Sequence, residues 1–137
     1  MYLGKTVAVV VPGHNEERFI GGVIETLPDV VDRAYVVDDC STDATWDVVR
    51  EHADRVNEAH AAARASADTT DRQRRRPSAE EDSESPATAR AMSDGGVRSD
   101  DLVVPIRHET NLGRGAAVKT GYRAALADGA DVVAVMD

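Results

Sequence analysis

Val7-Ala8-Val9-Val10-Val11-Pro12-Gly13-His14-Asn15-Glu16-Glu17 decides the fold class of this chain. The first half is an unbroken apolar run of strand length. The second half is a polar turn carrying an aromatic base and two acids. A strand that is apolar at consecutive positions, without alternation, is one covered on both faces. Three further runs repeat the pattern: Tyr35–Val37 into Asp38-Asp39, Leu102–Ile106 through Arg107-His108-Glu109 to Asn111-Leu112-Gly113-Arg114-Gly115, and Val132–Met136 into Asp137. Strands that each deliver polar groups at their C-terminal ends build the ligand crevice of an open α/β sheet.

Helical spacing fills the gaps. A helix is expected over 16–27, with Asn15 as N-cap, Glu16 and Glu17 in its first turn, and Pro28 ending it. Thr42 or Asp43 caps a second helix over 44–56, where Trp46, Val49 and Ala53 share a face. A third helix runs from 114 to 127 and stops before Gly129. With strands over 5–11, 34–38, 102–107 and 131–136, the order is β-α-β-α-β-α-β. The expected fold is α/β, a doubly wound parallel sheet forming a Rossmann-like nucleotide-binding half. The last strand is expected to lack a shield.

Residues 58–96 break the rhythm, because they contain no Val, Ile, Leu, Phe, Tyr or Trp. Such a stretch cannot bury enough apolar surface to offset its chain entropy. It reads as a disordered or loosely helical low-complexity insertion spanning 58–100 in a single domain of 1–137, with Ala-rich 59–67 able to prolong the helix before it. Arg74-Arg75-Arg76 could touch a phosphate, but with Glu80-Glu81-Asp82 close by a solvated, internally neutralised loop is the simpler reading.

Composition excludes several classes. The net charge is −9, the wrong sign for a nonspecific nucleic-acid binder. Only Lys5 and Lys119 are lysines, against 14 arginines, and this acid-rich, lysine-poor balance fits a surface solvated at high salt, as in a halophile. Cys40 is the only cysteine, so an intrachain disulfide and a cysteine-based metal site are excluded. No His lies near Cys40 in sequence to activate it as a nucleophile. Neither a secretory signal nor a run approaching the ~20 apolar residues of a membrane span is visible, and the expected location is cytoplasmic.

Single motifs carry little. Asp38-Asp39 could accept hydrogen bonds from a base or ribose, or form an Asx-turn and a helix cap. Gly113-Arg114-Gly115 could cradle a phosphate at a helix start, or make a tight strand–helix turn; it is not the dinucleotide fingerprint, since G-x-G-x-x-G is absent. His14 reads as a pocket residue and has no partner at metal-ligand spacing. His108 reads more readily as a strand-end surface residue than as a pocket residue. His52 and His60 read as surface positions.

Taken together and in order, residues 9–17, 36–45, 111–121 and 135–137 resemble the N-terminal half of a family 2 glycosyltransferase of the GT-A fold, closest to the dolichol-phosphate mannosyl/glucosyltransferase type. The resemblance implies roles. Pro12, His14 and Glu16 would lie beside the base and ribose of a UDP- or GDP-hexose donor, and Asp38 or Asp39 would contact the base. Arg114 would sit near the diphosphate, with Asn111, Gly113 and Gly115 shaping the turn. Asp137 would be the first acid of a D-x-D motif holding Mg²⁺ or Mn²⁺, a hard cation suited to oxygen ligands. The implied acceptor is a lipid phosphate or a glycan, with association of the complete enzyme with the cytoplasmic membrane face. Two positions depart from the family pattern: His14 stands where Tyr is usual, and Cys40 where Gly is usual, which strains the turn if φ is positive there. The second D-x-D acid and any catalytic base would lie beyond residue 137, so this chain is expected to be inactive alone. The alternative is a degenerate, non-catalytic nucleotide-binding remnant. A nucleotidyltransferase is disfavoured, since its first loop should be Gly-rich and basic, and here it is acidic.

Overall fold

The computed structural model describes residues 1–74 and 100–136. The elements are β1 (Val7–Gly13), α1 (Ile20–Glu25), β2 (Arg33–Asp38), α2 (Thr45–Arg74), β3 (Val103–Arg107), α3 (Arg114–Ala127) and β4 (Val132–Val135). The strands form one parallel sheet in the order β3-β2-β1-β4. The chain steps outward from β1 through β2 to β3, then returns to the far side of β1. That reversal at β1 is the topological switch point of a doubly wound sheet, and the expected α/β fold class holds.

Period-two alternation divides each central strand between two cores. Val9, Val11, Val36 and Val103 pack with Ile20 and Ile24 of α1 and Val49 and Ala53 of α2. Ala8, Tyr35 and Val104 pack with Ala125 of α3 on the opposite face. Helix α3 lies close against the sheet because of Gly121: a Cβ there would stand 2.4 Å from Val10 Cγ1. The outer edge of β3 is closed by a side chain. The Asn57 amide donates to Val103 O at 2.9 Å and accepts from Val103 N at 2.8 Å, imitating a neighbouring strand where an edge would expose unpaired groups.

Three expectations need correction. Helix α1 starts at Ile20, not 16, and Asn15 is not its cap: Asn15 has φ 53° and the N-cap position falls at Phe19. The amides of Asn15 and Glu16 go instead to Ser41 Oγ and Thr45 Oγ1, each at 2.9 Å, which holds 14–19 as a loop. Helix α2 passes 56 through the Ala-rich 59–67, as that stretch allowed, and then runs beyond it to Arg74, because Ala and Arg are strong helix formers that need no buried face to propagate a helix already nucleated. The remainder of the expected insertion, 75–99, lies outside the described residues. As expected, the last strand lacks a shield: Val132 and Val135 of β4 are exposed, and among the described residues no strand pairs with its outer edge.

Candidate functional site

The C-terminal ends of β1 and β2 and the start of α3 converge on one cleft. Pro12, Gly13, His14, Glu16, Asp39, Asn111, Gly113, Arg114 and Ala117 line it, around a cavity of about 220 Å³. That is slightly below the ~300–1,000 Å³ of typical small-molecule sites, enough for part of an extended ligand.

The first wall is the loop after β1, stapled to the loop after β2. Ser41 Oγ accepts from Asn15 N and donates to Asp38. Thr45 Oγ1 accepts from Glu16 N and donates to Asp43. Asn15 Oδ1 accepts from Thr42 N at 2.9 Å, and Glu17 from Ala44 N at 3.2 Å. Neither expected cap, Thr42 or Asp43, holds the position before Thr45, which is Ala44; Asp43, one residue earlier, accepts from Thr45 N at 2.9 Å. His14 Nδ1 donates to the Asp39 carbonyl at 2.9 Å. A neutral imidazole bonded this way keeps Nε2 as an acceptor, and it stands 3.4 Å from the amide nitrogens of Asn15 and Asn111.

The second wall is the turn into α3. Gly113 has φ 94°, a conformation in which any other residue is strained. It aims the first turn of α3 at the cleft, and as at any helix start those amides lack intrahelical acceptors and favour negative charge. Arg114 adds a cation at the same mouth.

Between the walls, Asp38 and Asp39 part company. Asp38 follows Val36 onto the α1/α2 face, where Ser41 and Arg107 hold it, and Arg107 lies 5.8 Å over the Trp46 ring. Asp39 follows Val37 onto the α3 face and lines the cleft. Its carboxylate accepts from Leu112 N at 2.9 Å, from Gly113 N at 2.8 Å and from His108 Nδ1 at 2.8 Å. Burial pushes the Asp39 carboxyl up, but the hydrogen bonds from His108, Leu112 and Gly113 hold it below the ordinary carboxylate range. His108 is therefore not a surface residue: it is buried, and Nε2 meets Thr120 Oγ1 at 2.7 Å.

Residues 8–65 match the family model "Glycosyl transferase family 2". No curated protein and no solved structure matches the chain. The matched segment holds β1, α1, β2 and most of α2, and so supplies the wall made by Pro12, His14, Glu16 and Asp39; the wall from α3 falls outside it. The match supports a glycosyltransferase relationship for this half of the cleft and agrees with the parallel-sheet fold.

Of the expected donor-site residues, Pro12, His14, Glu16, Asp39, Asn111, Gly113 and Arg114 line the one cleft, whereas Asp38 and Gly115 are not among its lining. Asp137 lies outside the described residues. Among the described residues no group of three or more His, Cys, Asp or Glu is placed to hold a metal ion, and the oxygens of Asp39 are engaged by the amides and the imidazole. The described side chains therefore do not by themselves constitute a Mg²⁺ or Mn²⁺ site. Ser41, Thr45 and Thr120 were not singled out from sequence. Ser41 lies just past the end of β2, but Thr45 and Thr120 lie in α2 and α3 and carried no local signal.

Proposed function

We propose that the cleft binds a nucleoside diphosphate sugar, a UDP- or GDP-hexose, as donor for hexosyl transfer to a lipid phosphate of the dolichol-phosphate type or to a glycan at a membrane surface. The observation that carries this reading is convergence. Residues from three distant stretches meet at the C-terminal edge of a parallel sheet, with acceptors on one side and a helix start bearing an arginine on the other. His14 Nε2 and the Glu16 carboxylate suit the donor N–H and O–H groups of a base and ribose. The first turn of α3 and Arg114 suit a diphosphate. Asp39 belongs to the scaffold of the cleft as much as to its lining, because its carboxylate ties the α3 turn to β2. A divalent cation, with Asp137 as one ligand, would neutralise charge on the departing diphosphate.

The test is calorimetric titration of the chain with UDP- and GDP-hexoses, with and without Mn²⁺, followed by a transfer assay on a polyprenyl phosphate. Binding of one base over the other names the donor. No heat with either nucleotide sugar refutes the reading.

A further inference from the structure

Three side chains behind the cleft form a relay: Asp39 at the end of β2, His108 at the end of β3 and Thr120 in the second turn of α3. Asp39 Oδ1 accepts a hydrogen bond from His108 Nδ1 at 2.8 Å, His108 Nε2 meets Thr120 Oγ1 at 2.7 Å, and Thr120 Oγ1 donates to Ala116 O at 3.0 Å in one of its two settings. The same Asp39 carboxylate holds the amides of Leu112 and Gly113. The loop that leaves the sheet at His108 and re-enters the fold at Gly113 is thus braced across its base.

We propose that His108, held by Thr120, is the positioning residue of the cleft, fixing Asp39 and through it the turn that aims α3, and that it binds a proton when an anion occupies that turn. The positioning stands on ligand-free contacts, while the coupling to an anion rests on the nucleoside-diphosphate reading above.

Proton counting leads to the second half. An ionised carboxylate only accepts, so Nδ1 must carry a hydrogen. Thr120 has one hydroxyl proton and two acceptors in reach. If it donates to Ala116 O, Nε2 must carry the other hydrogen and His108 is an imidazolium. If it donates to Nε2, His108 is neutral. The network holds both states by rotating one hydroxyl, with no heavy atom displaced. In the neutral state the Asp39–His108 pair carries one net negative charge behind the turn; in the protonated state it carries none. An anion at the start of α3 favours the second state, so binding draws in a proton. The other titratable or charged groups on the surrounding elements are His14, Glu16, Glu17 and Arg18 after β1, Arg33, Tyr35 and Asp38 of β2 with Cys40 after it, Arg107 and Glu109 at the end of β3, and Arg114, Lys119, Tyr122 and Arg123 of α3. Of these, His14 is the other imidazole.

The test uses UDP-glucose and GDP-mannose, whose diphosphate diesters keep a fixed charge across the histidine range, and runs in two arms. In the ligand-free protein, NMR follows the His108 ring and the Leu112 and Gly113 amides against pH. The amides are expected to titrate with the midpoint of the ring, in the wild type and in His14→Gln alike, and to stay flat in His108→Gln. Amides that ignore the ring in the wild type overturn the positioning role whatever binds. In the second arm, calorimetry in buffers of different ionisation enthalpy measures proton uptake on binding. Wild type is expected to take up a proton and to bind more tightly as pH falls through the His108 midpoint. His108→Gln, which can still donate to Asp39, is expected to bind without uptake. Thr120→Val should weaken binding about threefold to tenfold, the scale of one hydrogen bond, and Thr120→Ser should restore it. Unchanged binding by folded Thr120→Val, or uptake that persists in His108→Gln, overturns the proposal. If the amides follow the ring but neither sugar nucleotide binds, the positioning role stands and the nucleotide reading is what fails.

Discussion

Replacing Gly121 with Ala tests how tightly the cleft's second wall is seated on the sheet. The new methyl would stand 2.4 Å from Val10 Cγ1, 3.0 Å from Cγ2 and 3.2 Å from Cβ, against roughly 3.5–4.0 Å for carbon atoms in contact. About 1 Å must therefore be absorbed. Val10 cannot supply it easily. It is β-branched and stiff at χ1, fully buried, and its strand is pinned by β2 on one side and β4 on the other. Overpacking of this kind costs about 1–3 kcal/mol, and the gap here points to the upper half. The better helix propensity of Ala returns about 1 kcal/mol. The expected net loss is about 1–2 kcal/mol. Val10→Ala alone should cost about 2–3 kcal/mol through lost burial and a cavity. In the double variant the added methyl fills the space the valine leaves, so the total should be about 1–2 kcal/mol, well short of the sum. Urea unfolding monitored by circular dichroism and Trp46 fluorescence gives all four corners of the cycle. Additivity to within about 0.5 kcal/mol, or a Gly121→Ala variant more stable than wild type, would refute the close seating of α3.

Other perturbations address the rest of the scaffold. Asn57→Leu leaves both backbone groups of Val103 without their partner and should cost about 2–4 kcal/mol; hydrogen exchange at Val103 should speed up selectively, and unchanged exchange would show that the edge is satisfied otherwise. Cys40 has φ 56°, so Cys40→Gly should relieve about 1–2 kcal/mol of strain less about 0.5–1 kcal/mol of added chain entropy, leaving the protein as stable or slightly more so in a melting curve. Burial, and then the hydrogen bond to Asp128, push the Tyr35 phenol up to about 12. A raised folded pKa gives stability that is complete below the unfolded value near 10 and lost as pH rises toward 12. Unfolding free energy should therefore fall across that window in the wild type and fall less in Tyr35→Phe; parallel profiles would exclude the phenol as the cause.

The strands and α3 were legible because their signals are local. Val7–Val11 is an apolar run, and α3 begins after a glycine that needs positive φ and ends where Gly129, at φ 82°, turns the chain out. What failed locally was decided by distant partners. Asn15 looks like a helix cap until Ser41 and Thr45 claim the amides around it. His108 looks like a surface histidine until the topology brings Asp39 and Thr120 to it. The absence of Val, Ile, Leu, Phe, Tyr and Trp from 58–96 agrees with the largely exposed 58–67, but burial is not what extends an alanine-rich helix. With a side-chain period of two, Asp38 and Asp39 must face opposite sides of the sheet, so only one of them could line a given cleft.

The central claim is that the start of α3, with Arg114, receives the diphosphate of a nucleotide ligand. Its most direct test is the affinity of wild type and Arg114→Gln for UDP and GDP, measured beside uridine and guanosine by calorimetry. Loss of one charge-assisted contact should weaken the preferred diphosphate about tenfold or more and leave its nucleoside unchanged. Diphosphate binding equal in the two proteins, or weakened no more than nucleoside binding, would contradict the account.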